Sequence, residues 1–308
     1  MQKTPIPVTT TPLPAIAPHT TAFPAKTLRR ITPVALFFVC FLATASALRA
    51  QVATPDAPPT SSVAAPTTTQ EDTSSKKARA ALDAMVQALG GDTWLNQQNL
   101  YVEGRLAGFY QGKPTGATVR YWDWRAPDAE RIDLTEGKSD KHNWSQIFRG
   151  KDCWEITFRG KNPLPRDQCA EAIRRRDHTI ENAVRVWMKD PSTVLMYEGQ
   201  SLAERHLAEQ VTLLNADNDS LTIQLDAMSH LPLRRTYYWR DPVYKDRNEE
   251  VEEYDDYHNI QGIQTPFTIT RWHDGDMTSQ RFVFKAAYNV PLPPEGFDAT
   301  ALAATLHK

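Results

Sequence analysis

The sequence predicts a mainly β protein with helices (α+β), built as an antiparallel meander that curls. Three observations predict it. From residue 100 onward the apolar spacing is two for most of the chain, with turn residues between the runs. One amphipathic helix precedes those strands, and a second helical segment interrupts them midway. Residues 117–125 carry aromatics on both faces, which a sheet with one solvated face does not need and a sheet covered on both sides does.

The chain has 308 residues, with 35 Lys and Arg against 37 Asp and Glu. Residues 1–50 hold five basic residues and no acidic one. Arg29-Arg30 precedes an apolar run from Val34, which Thr44-Ala45-Ser46-Ala47 closes. A charged start, a short apolar core and small residues at the end predict a signal peptide over 1–50; an uncleaved anchor is the competing reading. Cys40 follows Val39 inside the apolar run, so it does not read as a lipid-modified cysteine. Without residues 1–50 the formal charge falls from −2 to about −7. An acidic export product argues against nucleic acid and against adhesion to anionic lipid by charge alone.

Residues 51–75 are Pro, Thr, Ser and Ala with little to bury, and read as a linker ahead of one domain over 76–308. Ala78, Leu82, Met85, Val86 and Leu89 recur at spacings of three and four until Gly90-Gly91, which predicts a helix. Strands follow over 100–110, 117–125, 130–135, 143–149 and 153–158, then over 209–215, 221–227, 231–240, 249–259, 263–273 and 278–288. In the fifth strand Trp154, Ile156 and Phe158 share one face, and Cys153, Glu155 and Thr157 the other. Between the two sets, 167–190 reads as a helix with Ile180, Val184, Trp187 and Met188 on one face and Arg174, Arg175 and Arg176 largely elsewhere. Pro163 and Pro165 precede it and Pro191 ends it.

Export leaves Cys153 and Cys169, 16 residues apart, and an even pair in an oxidising compartment predicts a disulfide. A metal site or redox pair is the alternative, and neither a CxxC nor a nearby His supports it. The signatures HExxH, GxSxG and the Gly-rich phosphate loop are missing, and the histidines lack ligand spacing. No catalytic residue, metal or cofactor is therefore assigned. The acidic run from Asn248 to His258 reads as a charged strand that resists edge pairing rather than a seat for a basic partner or calcium. His258 and His273 beside aspartates, and the Arg174–Arg176 run, read as solvated groups.

Three stretches resemble the LolA/LolB-like superfamily of periplasmic lipoprotein carriers. Trp124-Arg125-Ala126-Pro127 followed by Glu130 to Asp133 is similar to the family's Arg-Pro turn and next strand. Gly150-Lys151-Asp152-Cys153-Trp154 resembles its Gly-Lys-x-x-Trp turn, and Phe284 to Phe297 its Phe-x-x-x-Pro-x-Gly close. The resemblance spans about residues 78–300 and implies a half-barrel with an N-terminal helix and a helical lid. It implies a concave face and lid, lined by Trp154, Ile156, Phe158, Phe267, Ile269, Ile180, Val184, Trp187 and Met188, that hold acyl chains. It also implies a lid latch at Arg125, although Ala126 separates that residue from Pro127. The disulfide has no place in the family pattern.

The resulting expectation is an exported, non-enzymatic, monomeric carrier of lipid or an acylated lipoprotein in the periplasm or cell envelope, touching membranes transiently. The alternative is an envelope sensor or scaffold of the same fold, with a filled core, that binds another envelope protein. The helix face from Ile180 to Met188 decides between them, since it covers either a cavity or side chains.

Overall fold

A computed structural model describes residues 68–116, 118–136 and 144–306, and in it the chain enters its sheet at the centre. The signal and most of the linker expected from sequence lie outside the described residues. Helices α1 (Thr68–Leu89) and α2 (Asp92–Leu95) lead to β1 (Leu100–Tyr110). The meander then runs outward through β2 (Lys113–Pro114), β3 (Val119–Ala126), β4 (Ala129–Glu136), β5 (Trp144–Arg149), β6 (Asp152–Thr157) and β7 (Gly160–Pro163). Helices α3 (Arg166–Asp177) and α4 (Ile180–Arg185), with a 3-10 turn over 187–189, carry the chain to the opposite edge.

From that edge β8 (Val194–Ala203), β9 (His206–Leu214), β10 (Ser220–Asp226) and β11 (Pro232–Arg240) return toward the centre. They are followed by β12 (Arg247–Ile260), β13 (Ile263–His273) and β14 (Asp276–Tyr288), and by helix α5 (Ala299–Leu306). The order is β7-β6-β5-β4-β3-β1-β14-β13-β12-β11-β10-β9-β8, with β2 paired to β1. Neighbours are antiparallel, and β7 and β8 stay unpaired to each other. The result is an open, curled half-barrel, as expected.

Helix α1 buries the expected stripe, Ala78, Leu82, Met85, Val86 and Leu89. It begins at Thr68, ahead of the expected Lys76, and Ser74 fastens its first half: Tyr197 N–H donates to Oγ at 2.9 Å. It stops where expected, since Gly90 has φ 132° and a Cβ there would meet the Gly262 carbonyl at 2.6 Å. Alternation places Leu221, Ile223 and Leu225 against α1, while Thr212 and Thr222 bond each other at 2.8 Å on the other face.

Two clusters lie on the helix-covered, inner face. One joins α1, α4 and Trp187 to β8–β13; the other joins Val102, Tyr121, Ile132, Leu134, Phe148 and Cys153 to α3. A third lies on the outer face, where Ala299 and Leu302 of α5 cover Ile147 and Ile156. Helix α5 and strands β2, β7 and β8 were not expected. Asp298 caps α5 by accepting from Thr300 and Ala301 N–H at 2.8 and 3.0 Å.

The single helix expected over 167–190 is two. The Thr179 hydroxyl accepts from Asn182 N–H at 3.2 Å and starts a new helix there. The acidic strand is also not an edge: β12 lies between β11 and β13. Its glutamates face partners on both sides, Glu249 to Tyr238, Glu250 to His273, Glu252 to Arg235 and Arg271, and Glu253 to Arg234. Composition showed the charge, but the partners are far away in sequence.

Candidate functional site: a charged hollow under the crossover helices

The cross-strand registers Arg125↔Glu130, Arg271↔Glu252 and Glu252↔Arg235 set ionic side chains in a row on the inner face. Arg125 donates to Asp123 at 2.8 Å through Nε and lies 3.3 Å from Glu130. Arg281 reaches the same Asp123 oxygen at 3.2 Å. Arg271 Nε donates to Glu252 at 2.6 Å, and Arg235 pairs with its other oxygen at 3.2 Å. Asp123 is 0 % exposed and Arg235 2 %, so these charges are held by each other rather than by water.

Three guanidiniums hold the crossover helices through backbone carbonyls. Arg235 donates to the carbonyls of Arg175 (3.2 Å) and His178 at the C-terminal end of α3, where the helix dipole favours a cation. Arg176 donates to the carbonyls of Gly150 (2.9 Å) and Asp128 (3.3 Å). Arg185 donates to those of Gln97 (3.0 Å), Leu95 (3.2 Å) and Trp94 (3.4 Å). Cys153 and Cys169 form the expected disulfide, with Cα atoms 5.6 Å apart, and tie the start of α3 to β6.

Arg125, expected as a lid latch, makes its contacts within the sheet. Its guanidinium is engaged within the sheet by Asp123 and Glu130, and Arg235 of β11 makes the helix contact instead. The sequence had no signal for this, because Arg235 sits in an ordinary strand and meets α3 only through the fold.

Beneath α3 and α4 a cavity of about 280 Å³ opens toward the β3–β4 turn. Arg125, Glu130, Arg175, Arg185, Arg235 and Glu252 are among its walls. Beside it lies a smaller chamber of about 100 Å³ walled by Trp94, Tyr121, Ile180, Tyr254, Ile269 and Tyr288, among others. Leu100, Arg125, Thr179, Glu181 and Glu252 line both, so the two adjoin.

Of the residues expected to line a cavity, Ile180 and Ile269 do so. Val184 and Trp187 are buried in the core with α1, and Met188 packs against it, so most of that stripe covers side chains. Phe267 packs beside the second cluster, its ring 4.2 Å from that of His258. Trp154 and Ile156 belong to the outer face under α5, and Phe158 is 73 % exposed just beyond β6. Alternation fixes which residues share a face but not which face is covered by which helix.

Burial alone would raise the Glu252 carboxyl; the guanidiniums of Arg235 and Arg271 overcome this and hold it well below the usual carboxylate range. Burial, helped by the nearby cations Arg271 and Arg125, pushes Arg281 down to about 10. For Glu252 the sign follows from linkage. Its contribution is present above the ordinary value of 4.5 and is lost as pH falls through its lower folded value. We expect urea stability to fall as pH drops below about 4.5, and Glu252→Gln to flatten that dependence. Equal slopes in both proteins would remove Glu252 as the cause. Among the described residues no group of three or more His, Cys, Asp or Glu is placed to hold a metal, and no helix is long and apolar enough to cross a membrane.

No protein-family model matches the sequence, and no curated protein matches it. Solved structures do. The chain is similar to a DUF1329 family protein from Desulfovibrio piger at 14 % identity and a TM-score of 0.50, over 73 % of this chain and 98 % of that one. It is also similar to an outer-membrane lipoprotein-sorting protein domain from Vibrio parahaemolyticus (8 % identity, TM-score 0.47, 75 % and 100 % covered). A LolA superfamily protein from Nitrosomonas europaea is a third (15 %, 0.44, 71 % and 96 %). The likeness to the first of these shows a shared fold. At these identities the likeness extends to the fold alone.

Proposed function

We propose that this is an exported, non-enzymatic carrier-like protein of the cell envelope that holds the apolar part of a lipid or acylated lipoprotein beneath α3 and α4. The observation that carries the proposal is the pair of adjoining chambers between those helices and the sheet. A second feature supports it: no residue of α3 is buried, and it is held by carbonyl contacts and one disulfide. Helix α3 meets the second cluster through only the half-buried Cys169, Ala172 and Ile173, whereas α4 is anchored in the core through the buried Ile180, Ala183 and Val184. Each methylene buried on entry contributes about 0.8 kcal/mol. The chambers lie at the low end of the roughly 300–1,000 Å³ common for ligand sites. They suit one chain better than several.

The test is native mass spectrometry with organic extraction on protein exported with its own signal and purified without detergent. Added mass matching a lipid or acylated peptide is the expected result. A bare mass, unchanged after incubation with phospholipid vesicles, would overturn the carrier reading. A scaffold that binds another envelope protein would then lead, a reading favoured by the packing of Val184 and Trp187 as core.

A further inference from the structure

We propose that the larger chamber is an anion site that takes a carboxylate or phosphate group, so that the ligand is a single-chained anionic amphiphile with its tail in the aromatic chamber. This rests on the carrier reading for the tail and on the charge of the walls for the head. Six arginines line the cavity (Arg125, Arg175, Arg176, Arg185, Arg235 and Arg271) with four acidic residues, Asp128, Glu130, Glu181 and Glu252.

The carboxylates are also shared. Glu252 serves both Arg235 and Arg271, and Arg125 draws on Asp123 and Glu130. Arg185 bonds to neutral carbonyls. Arg175 pairs with Glu171 one turn back on its own helix, a carboxylate that does not line the cavity.

Two buried donors add to this argument. The Nε–H groups of Arg185 and Arg235 are buried without an acceptor in the protein, and both residues line the cavity. A guanidinium presents five donors in a planar fork suited to a carboxylate or phosphate, and buried donors left unmade are costly. Burial and the neighbouring Arg271 loosen the Arg175 proton, whereas carboxylates overcome burial and hold the protons of Arg125 (Asp123, Glu130) and Arg235 (Glu252), so Arg175 is the less neutralised cation. An anion entering here would supply Arg175 with a counter-charge. The adjoining chamber of Trp94, Tyr121, Ile180 and Ile269 is placed to receive an attached chain.

The experiment is calorimetric titration of the mature exported protein with dodecanoate, dodecyl phosphate, dodecanol and inorganic phosphate, in wild-type and Arg175→Gln forms. Dodecanoate and dodecyl phosphate are expected to bind at least about tenfold more tightly than dodecanol. Arg175→Gln is expected to weaken the two anionic ligands by about tenfold and leave dodecanol unchanged. Arg175 lies on a helix without buried residues, and the comparison among ligands on wild-type protein stands without the variant. Dodecanol binding as tightly as dodecanoate would overturn the anion site and leave the carrier reading intact. Inorganic phosphate binding while no chain-bearing ligand does would support the anion site as one for the free ion and remove the carrier. Binding of none of the four would overturn both.

Discussion

Arg235→Ala is expected to cost about 3–5 kcal/mol of unfolding free energy, the range for breaking a buried ion pair from one side. The side chain is almost wholly enclosed, neutralises Glu252 and donates to two carbonyls at the end of α3. Its removal leaves Glu252 with Arg271 alone among its ion pairs and frees those carbonyls from their donor. The loss is measured as a urea midpoint. Amide exchange across 175–182 locates it, since the helix junction is expected to loosen before the strands. Arg235→Lys keeps the charge without the fork and is expected to recover only part of the loss. A cost below about 1 kcal/mol, with exchange at the junction unchanged, would mean that Arg176 and Arg185 hold the helices without it.

Reducing the Cys153–Cys169 bond is expected to destabilise the domain by roughly 3 kcal/mol, the chain-entropy value for a loop of this length. The closed loop spans 16 residues and contains β7 and the first turn of α3. Because α3 has no buried residue, the bond is a principal hold on its N-terminal end. Reductant is expected to lower the melting temperature and to raise exchange first in 166–177, with the circular dichroism of the sheet retained below the transition. Labelling of both thiols in untreated native protein would show that the bond is not formed. An unchanged melting temperature would show that it contributes nothing to stability.

The strand and helix pattern was legible in local spacing because side-chain period is a local property. The α1 stripe from Ala78 to Leu89 and its glycine stop lie where spacing placed them, and β1 and β13 match their expected spans. The break at Thr179 was carried by one capping hydroxyl inside an otherwise helical pattern. Strand β8 was overlooked, and so was α5, whose apolar side needed the outer face of β5 and β6 to give it meaning.

Residue chemistry by itself determined that this is a curled, mainly β chain with an interrupting helical crossover, a bridged cysteine pair and aromatic side chains on both faces of β3. Only the tertiary structure decided which face lies under the crossover. It set Trp154 and Ile156 outside, beneath α5, and Ile180 and Ile269 beside the hollow. It also turned the acidic strand from an apparent edge into the counter-charge of arginines on β11 and β13, and brought Arg235 to the end of α3. The reason is that period is written in neighbouring residues, whereas a buried charge is specified by partners on strands that only folding brings together.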